Sequence, residues 1–269
     1  MNELQKLIKI LAIGLGIFII ICIAIAILSI VGLIINIDFF NGKKIDFNET
    51  YENIKIIEID SQYSEVIVKK GEIFEVDAKN VNSKFTSKEK NHVLTIKEKR
   101  NWNFFARDKG TITITIPENI ELEMLKVDAG AGSLEIIEIN SIKLDVNQGA
   151  GVILIKDSNF SNTSIDGGAG KMTITNSILN NLDLDSGVGE VTLNAKIAGD
   201  SEIDCGVGEL NVTLLGNEED YQVKVEKGIG SINLNNKDID SGIYGEGHNK
   251  IDIEGGIGSI KINFKSNSF

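Results

Sequence analysis

Along most of this chain apolar side chains fall at every second position, as in Val127, then Leu134 and Ile136, or Ile203, then Leu210 and Val212. A period of two places them on one face of a strand, and the β-branched Ile, Val and Thr that fill these runs suit a pleated surface. The runs are too short for a helical face, which needs ten or more residues at 3.6 spacing. A Gly-x-Gly pair interrupts the alternation at a fixed interval. The first glycines are Gly130, Gly149, Gly168, Gly187 and Gly206, 19 residues apart, and then Gly228 and Gly256 after steps of 22 and 28. Each pair sits in one frame, seen in Leu125–Ile136 (LKVDAGAGSLEI), Leu182–Leu193 (LDLDSGVGEVTL) and Val223–Leu234 (VKVEKGIGSINL). Such a period marks a repeat architecture whose units cannot bury their apolar face alone and stack on their neighbours. The pattern predicts an all-β, single-sheet-stack β-solenoid with 19-residue rungs, the glycines turning its corners.

The residue between the glycines grows along the chain: Ala131, Ala150 and Ala169, then Val188, Val207, Ile229 and Ile257. That growth predicts an inward corner with more room toward the C-terminal end. A degenerate copy of the frame occurs earlier. Ile59, Asp60, Gln62, Tyr63, Ser64, Val66 and Val68 fit it position by position with both glycines replaced. Residues 72–80 and 110–120 alternate in the same way, and Pro117 follows a strand where its missing N–H is tolerated. The expected organisation is therefore a tail (1–9), a membrane segment (10–37), a linker (38–49), irregular first rungs with a capping loop (50–124), regular rungs (125–265) and a tail (266–269).

The membrane segment rests on residues 10–35, 26 consecutive residues without a charge. As a helix they would span about 39 Å against a hydrocarbon core of about 30 Å, enough for one tilted crossing. A cleaved signal peptide would have an apolar region about half as long and a small-residue cleavage site, which is absent. The reading is an uncleaved transmembrane signal anchor that makes the lipid bilayer a partner through residues 10–37. Lys6 and Lys9 on one side balance Lys43 and Lys44 on the other, so the positive-inside rule leans only slightly to a cytoplasmic N-terminus.

Charge narrows the partners. The net charge is −12, and residues 125–269 carry 11 basic against 22 acidic side chains. So acidic a surface is a poor partner for nucleic acid or a bare anionic membrane. Two cysteines, Cys22 in the apolar segment and Cys205 in a repeat, form neither a useful disulfide nor a cysteine-based metal site.

Two residues before each first glycine stand Asp128, Asn147, Asp166, Asp185, Asp204, Glu226 and Glu254. Stacked about 4.8 Å apart, adjacent carboxylates repel by about 1 kcal/mol in a water-like dielectric. Burial of four or five apolar side chains per rung contributes about 8 kcal/mol gross and outweighs that repulsion. The structural reading is that each Asp accepts hydrogen bonds from turn N–H groups. The functional alternative is a row of weak cation sites at Asp166, Asp185 and Asp204. The calcium nonapeptide pattern is excluded, because Met172, Val191 and Leu210 stand where it needs Asp. Nor are the glycine pairs phosphate loops, since none continues to a third glycine or a Gly-Lys-Ser/Thr ending.

Residues 97–109 (KEKRNWNFFARDK) hold the candidate interaction side chains Arg100, Trp102, Phe104, Phe105 and Arg107. Such a loop suits a membrane interface or a partner, or it covers an open sheet edge. His92 and His248 lie far apart in polar sequence, and no nucleophile–base or paired-carboxylate arrangement stands out. The expectation is no enzyme, no catalytic residue and no cofactor.

An N-terminal apolar span, alternating strands, the segment Thr111–Lys126 (TITITIPENIELEMLK) and stacked Gly-x-Gly turns together resemble the DUF4097, or toastrack, adhesin-type family of bacteria. The resemblance covers about residues 50–265. It implies a right-handed β-helix-like fold without established catalytic activity, in envelope-associated proteins linked to surface adhesion and envelope stress; it carries no functional residue over. The expected protein is then a single-pass membrane protein with an extracytoplasmic, non-enzymatic binding or sensing surface for an envelope protein or polysaccharide, with room for self-association. The alternative is a cytoplasmic scaffold that polymerises as bactofilins do.

Overall fold

The computed structural model describes residues 44–98 and 109–266, which form an all-β structure. The anchor proposed at residues 10–37 lies outside the described residues, and among the described residues no helix is long and apolar enough to cross a membrane.

Seven short strands open the fold: β1 (Lys44–Thr50), β2 (Ile56–Ser61), β3 (Glu65–Gly71), β4 (Glu75–Asn82), β5 (Thr86–Lys90), β6 (Val93–Glu98) and β7 (Thr111–Pro117). Five long ones follow: β8 (Leu122–Ile137), β9 (Asn140–Lys156), β10 (Asn159–Asn180), β11 (Leu182–Ala198) and β12 (Asp200–Leu215). The chain closes with β13 (Tyr221–Leu234), β14 (Lys237–Ile239), β15 (Gly242–Tyr244) and β16 (Asn249–Lys265).

Each long strand runs through its Gly-x-Gly and keeps pairing on both sides of it, in parallel register. Ala131 faces Ala150, Ala150 faces Ala169, Ala169 faces Val188, and Val188 faces Val207. Identical frame positions therefore stack into columns. Val127, Val146, Ile165, Leu184, Ile203, Ile253 and Val225 form one buried column before the glycines, and Leu134, Ile153, Met172, Val191, Leu210, Ile260 and Ile232 form one after them. Alternate residues point out, which is the period-two pattern made three-dimensional.

The degenerate copy takes its place at the top of this stack. Ile57 and Ile59 of β2 face Leu125 and Val127, and Val66 and Val68 of β3 face Leu134 and Ile136. Beyond β2 the sheet continues through β6 and β5, and beyond β3 through β7, β4 and β1. Glu98, at the end of β6, is buried and accepts from Ser61 Oγ (3.1 Å), Ser64 N (3.2 Å) and Ser64 Oγ (2.8 Å), fixing a corner that has no glycines.

A second corner repeats along the stack, between β8 and β9, between β9 and β10, and at a bulge within β10. Glu138, Asp157 and Asn176 adopt left-handed φ of 58°, 51° and 50°. Past this corner Ser158 and Ser177 are buried, and each hydroxyl accepts from the rung before: Ile139 N to Ser158 Oγ at 3.0 Å, Ser158 N to Ser177 Oγ at 3.2 Å. The same hydroxyls donate to Lys156 O (2.8 Å) and Thr175 O (2.9 Å), so both buried hydroxyls are paired as donor and as acceptor.

At the C-terminal end the stacking order departs from chain order. β16 pairs with β12 on one side and β13 on the other, so the Gly256 pair lies between those of Gly206 and Gly228. A simple sequential stack would have placed Gly228 next to Gly206. The connection through the 3-10 turn Glu218–Asp220 steps over one strand width, and Tyr221 spans the gap. Its ring is buried 5.8 Å from that of Phe264, and its hydroxyl donates to Leu215 O at 2.9 Å. The last strand of the chain then fills the open slot and satisfies both edges.

Candidate functional site

The sequence features with most chemical content converge on one edge of the fold, the Gly-x-Gly corner. Gly130, Gly149, Gly168, Gly187 and Gly206 stack in that order, followed by Gly256 and Gly228. Close approach explains the glycines. A Cβ on Gly149 would lie 2.8 Å from the Gly130 carbonyl oxygen. The second glycine of each pair also has a φ open mainly to glycine, +151° at Gly189, where a Cβ would collide with the Gly170 carbonyl.

The residue between the glycines points outward, not into the core. Val188 is 55% exposed, Val207 45%, Ile257 53% and Ile229 72%. Alternation shifts phase at the corner: the buried positions are Ile203 and the partly buried Cys205 before the glycines but Leu210 and Val212 after them, and Val207, which unbroken alternation would turn inward, points out. The inward corner column is instead Ala129, Gln148, Gly167, Ser186, Cys205 and Gly255, where burial and the neighbouring carboxylates push the Cys205 thiol up to about 12. In stacking order the exposed ridge reads Ala131, Ala150, Ala169, Val188, Val207, Ile257, Ile229, so apolar bulk rises steadily to the C-terminal end.

Beside the ridge runs the acidic column: Asp60, Asp128, Asn147, Asp166, Asp185, Asp204, Glu254 and Glu226 in successive register. A second outward column two residues earlier adds Asp183, Glu202 and Asp252 on the neighbouring strands. The expected capping by turn N–H groups does not occur. Among the described residues no backbone N–H reaches Asp128, Asp166, Asp185 or Asp204, because the corner amides stay in the ladder, as where Ala131 N donates to Gln62 O at 3.1 Å. Relief comes from side chains. Asn147 Nδ2 donates to Asp128 Oδ1 (3.1 Å) and Asp145 Oδ1 (3.3 Å), and Lys224 bridges Asp252 (2.8 Å) and Glu226 (3.1 Å).

Between those two relieved ends, Asp166, Asp183, Asp185, Glu202, Asp204 and Glu254 have no ion pair among the described residues. Burial, then Asp166 and Asp183, raise the Asp185 carboxyl above the usual aspartate range. Burial, then Glu202, Glu254, Asp185 and Asp252, do the same at Asp204, whose Oδ1 is buried and accepts no hydrogen bond. Of the candidate cation ligands, Asp166, Asp185 and Asp204 are thus brought into one file on adjacent strands. Among the described residues no group of three or more acidic, His or Cys side chains converges on one point that could hold a metal ion.

An open groove of about 540 Å³ follows the corner from Gln62 to Gly187, walled by Asp128, Asn147, Asp166 and Asp185 and floored by glycine backbone. The proposed interaction side chains Arg100, Trp102, Phe104, Phe105 and Arg107 lie outside the described residues. The described flanks of their segment both reach this end of the fold: Glu98 pairs with Ser61, and Gly110 O accepts from Glu65 N at 2.9 Å.

The family model described as Toastrack DUF4097 matches residues 43–244. The chain belongs to the toastrack family. Among solved structures it is similar to a candidate cell adhesion protein of Clostridium sporogenes, 18% identical, covering 83% of this chain and 100% of that one with a TM-score of 0.39. It is also similar to a candidate adhesin of Parabacteroides distasonis (14% identical, 84% and 98% covered, TM-score 0.44). A candidate lipid binding protein of the same organism aligns at 13% identity, 84% and 98% coverage and a TM-score of 0.46. No curated protein matches the chain. The most prominent feature missed from sequence alone is the outward ridge; its signal is the shift of the apolar positions by one residue across each glycine pair, from Ile203 to Leu210 for example, which leaves the middle residue off the inward face.

Proposed function

We propose that this toastrack protein is a membrane-anchored, extracytoplasmic β-solenoid of 19-residue rungs that acts as a non-enzymatic binding surface. The observation that carries the reading is the corner edge. Seven successive strands present the same outward side-chain positions there, an apolar ridge beside a carboxylate file. A rigid ladder with a regular pitch suits recognition of an extended partner better than it suits chemistry at one point. The uncharged run at residues 10–35 supports attachment to the bilayer, and an envelope protein or polysaccharide is the partner class that an external face would meet. Fusing alkaline phosphatase after Phe269 tests the location: activity on intact cells is expected. An inactive enzyme in that fusion, with a bright cytoplasmic fluorescent reporter in its place, would instead support an intracellular, bactofilin-like scaffold.

A further inference from the structure

The ridge and the carboxylate file occur together at the C-terminal half of the corner, and their combination selects a partner. Val188, Val207, Ile257 and Ile229 stand on four adjacent strands, each facing the next, and each is 45–72% exposed. At about 4.8 Å per strand they form an apolar line roughly 14 Å long. Exposed large apolar side chains in a continuous row mark an interaction site more often than scattered ones do.

Three residues before each ridge position, on the flank of that line, stand Asp185, Asp204 and Glu254. Behind them Asp183 and Glu202 face each other on adjacent strands. None of these five has an ion pair among the described residues, and Asp204 Oδ1 has no hydrogen-bond donor. On the opposite flank Glu190 and Glu209 are already neutralised by Lys171 (3.1 Å) and Lys261 (2.6 Å). At the far end Lys224 is committed to Asp252 and Glu226, and Lys227 lies beside Ile229. The line is therefore apolar with uncompensated negative charge along one side only.

We propose that this surface docks a cationic amphipathic peptide segment, whose apolar stripe lies on the Val188–Ile229 ridge and whose Lys or Arg side chains meet Asp185, Asp204 and Glu254. A helix advances about 5.4 Å per turn, so a segment of about ten residues covers the four ridge side chains with one apolar residue per strand. A second copy of this chain is the poorer occupant, because it brings its own acidic file to the contact. An anionic bilayer is repelled for the same reason. The proposal rests on the binding-surface reading above and adds the chemistry of the partner.

The test uses the full chain in zwitterionic phosphatidylcholine nanodiscs, with empty nanodiscs as the blank. Fluorescence anisotropy follows a labelled 18-residue helix of leucines and lysines and its counterpart with every lysine replaced by glutamate. The lysine peptide should bind, and the glutamate peptide should bind at least tenfold more weakly. V207S/I257S and D185N/D204N should each weaken the lysine peptide about tenfold while circular dichroism and the melting midpoint show an intact fold. Raising NaCl from 50 to 500 mM should weaken the wild type severalfold and D185N/D204N less. Equal binding of the two peptides, no binding beyond the blank, or full affinity in both variants would overturn the proposal. So would self-association of the unliganded chain that V207S/I257S abolishes, since the ridge would then belong to a second copy. Peptide binding alongside an inactive phosphatase fusion would leave this surface standing and refute only the location; an active fusion without peptide binding would do the reverse.

Discussion

Replacing Gly189 by alanine probes the corner where backbone and packing constraints coincide. Its φ of +151° is one that a side chain disfavours, at a cost of about 1–3 kcal/mol. The added Cβ also collides with the Gly170 carbonyl, a backbone atom of the adjacent strand that moves only if the strands part. Such overpacking costs a further 1–3 kcal/mol or so, and each ladder hydrogen bond lost adds about 1 kcal/mol. The sum is about 3–6 kcal/mol, a large part of the roughly 5–15 kcal/mol that holds a typical domain folded. For a domain of this size the melting midpoint should fall by about 10–20 °C. Gly167→Ala, one rung and three positions away, is the internal control. Its Cβ would lie 3.1 Å from the mobile Cε of Met172, with no unusual φ to maintain. Reduced freedom of the unfolded chain offsets that contact, so the midpoint should stay within about 4 °C. Thermal melts by circular dichroism on the two purified variants decide the matter. Equal losses, or an indifferent Gly189→Ala, would refute the role assigned to the second glycine.

Asp204→Asn removes one member of the uncompensated file and should stabilise the fold by about 0.5 kcal/mol per relieved neighbour, read as a raised midpoint; a fall would show that the carboxylate is needed. The pH dependence follows with its sign. The carboxyls of Asp185 and Asp204 are raised in the fold, so their protonation favours the native state, and this contribution is lost as pH rises through their folded values. Stability should therefore increase on mild acidification from neutral toward the ordinary aspartate value of 3.8, and less so in Asp204→Asn. Glu209 acts oppositely: the Lys261 ammonium lowers its carboxyl, so its contribution is present above the ordinary glutamate value of 4.5 and is lost as pH falls below it. A midpoint that falls steadily from pH 7 to 5 would contradict this balance. Melts in EDTA and in millimolar calcium should agree within a few degrees; a rise of about 10 °C with calcium would mean several kcal/mol of specific binding.

The buried columns were legible because each depends on one local rule. Period two gives the inward face, and the recurring Gly-x-Gly aligns Val127 with Val146 and Leu134 with Ile153. The same logic located the degenerate Ile59–Val68 copy, which carries no glycine. The outward direction of Val188 and Ile229 was not legible, because period two continued from Leu184 or Val225 turns them inward, whereas the positive-φ glycine at the corner goes with a shift of the alternation by one residue, so that Val191 and Ile232 are the next buried side chains. The order of β16 and β13 was not legible: it depends on which strand fills a slot left by another, and the irregular steps of 22 and 28 were its only trace. The second corner left a signal in Glu138, Asp157 and Asn176, but their left-handed conformation has no glycine to announce it. The turn-capping role of the aspartates failed because the corner amides are already taken by the neighbouring strand.

Deleting one unit tests most directly whether stacked 19-residue rungs build this edge. Removing Gly168 through Ser186 joins Gly167 to Gly187 and keeps later side chains on their present faces, because Gly168 and Gly187 hold the same place in the frame. Removing only Gly168 through Ser177 takes less chain but sets corner glycines against strand positions and turns apolar columns outward. The swap of β16 and β13 lies downstream of both cuts and is untouched by the first. Unfolding followed by circular dichroism and gel filtration should show a soluble, cooperatively melting β protein for the 19-residue deletion and aggregation or degradation for the ten-residue one. Equal behaviour of the two, or a worse outcome for the longer deletion, would contradict the account.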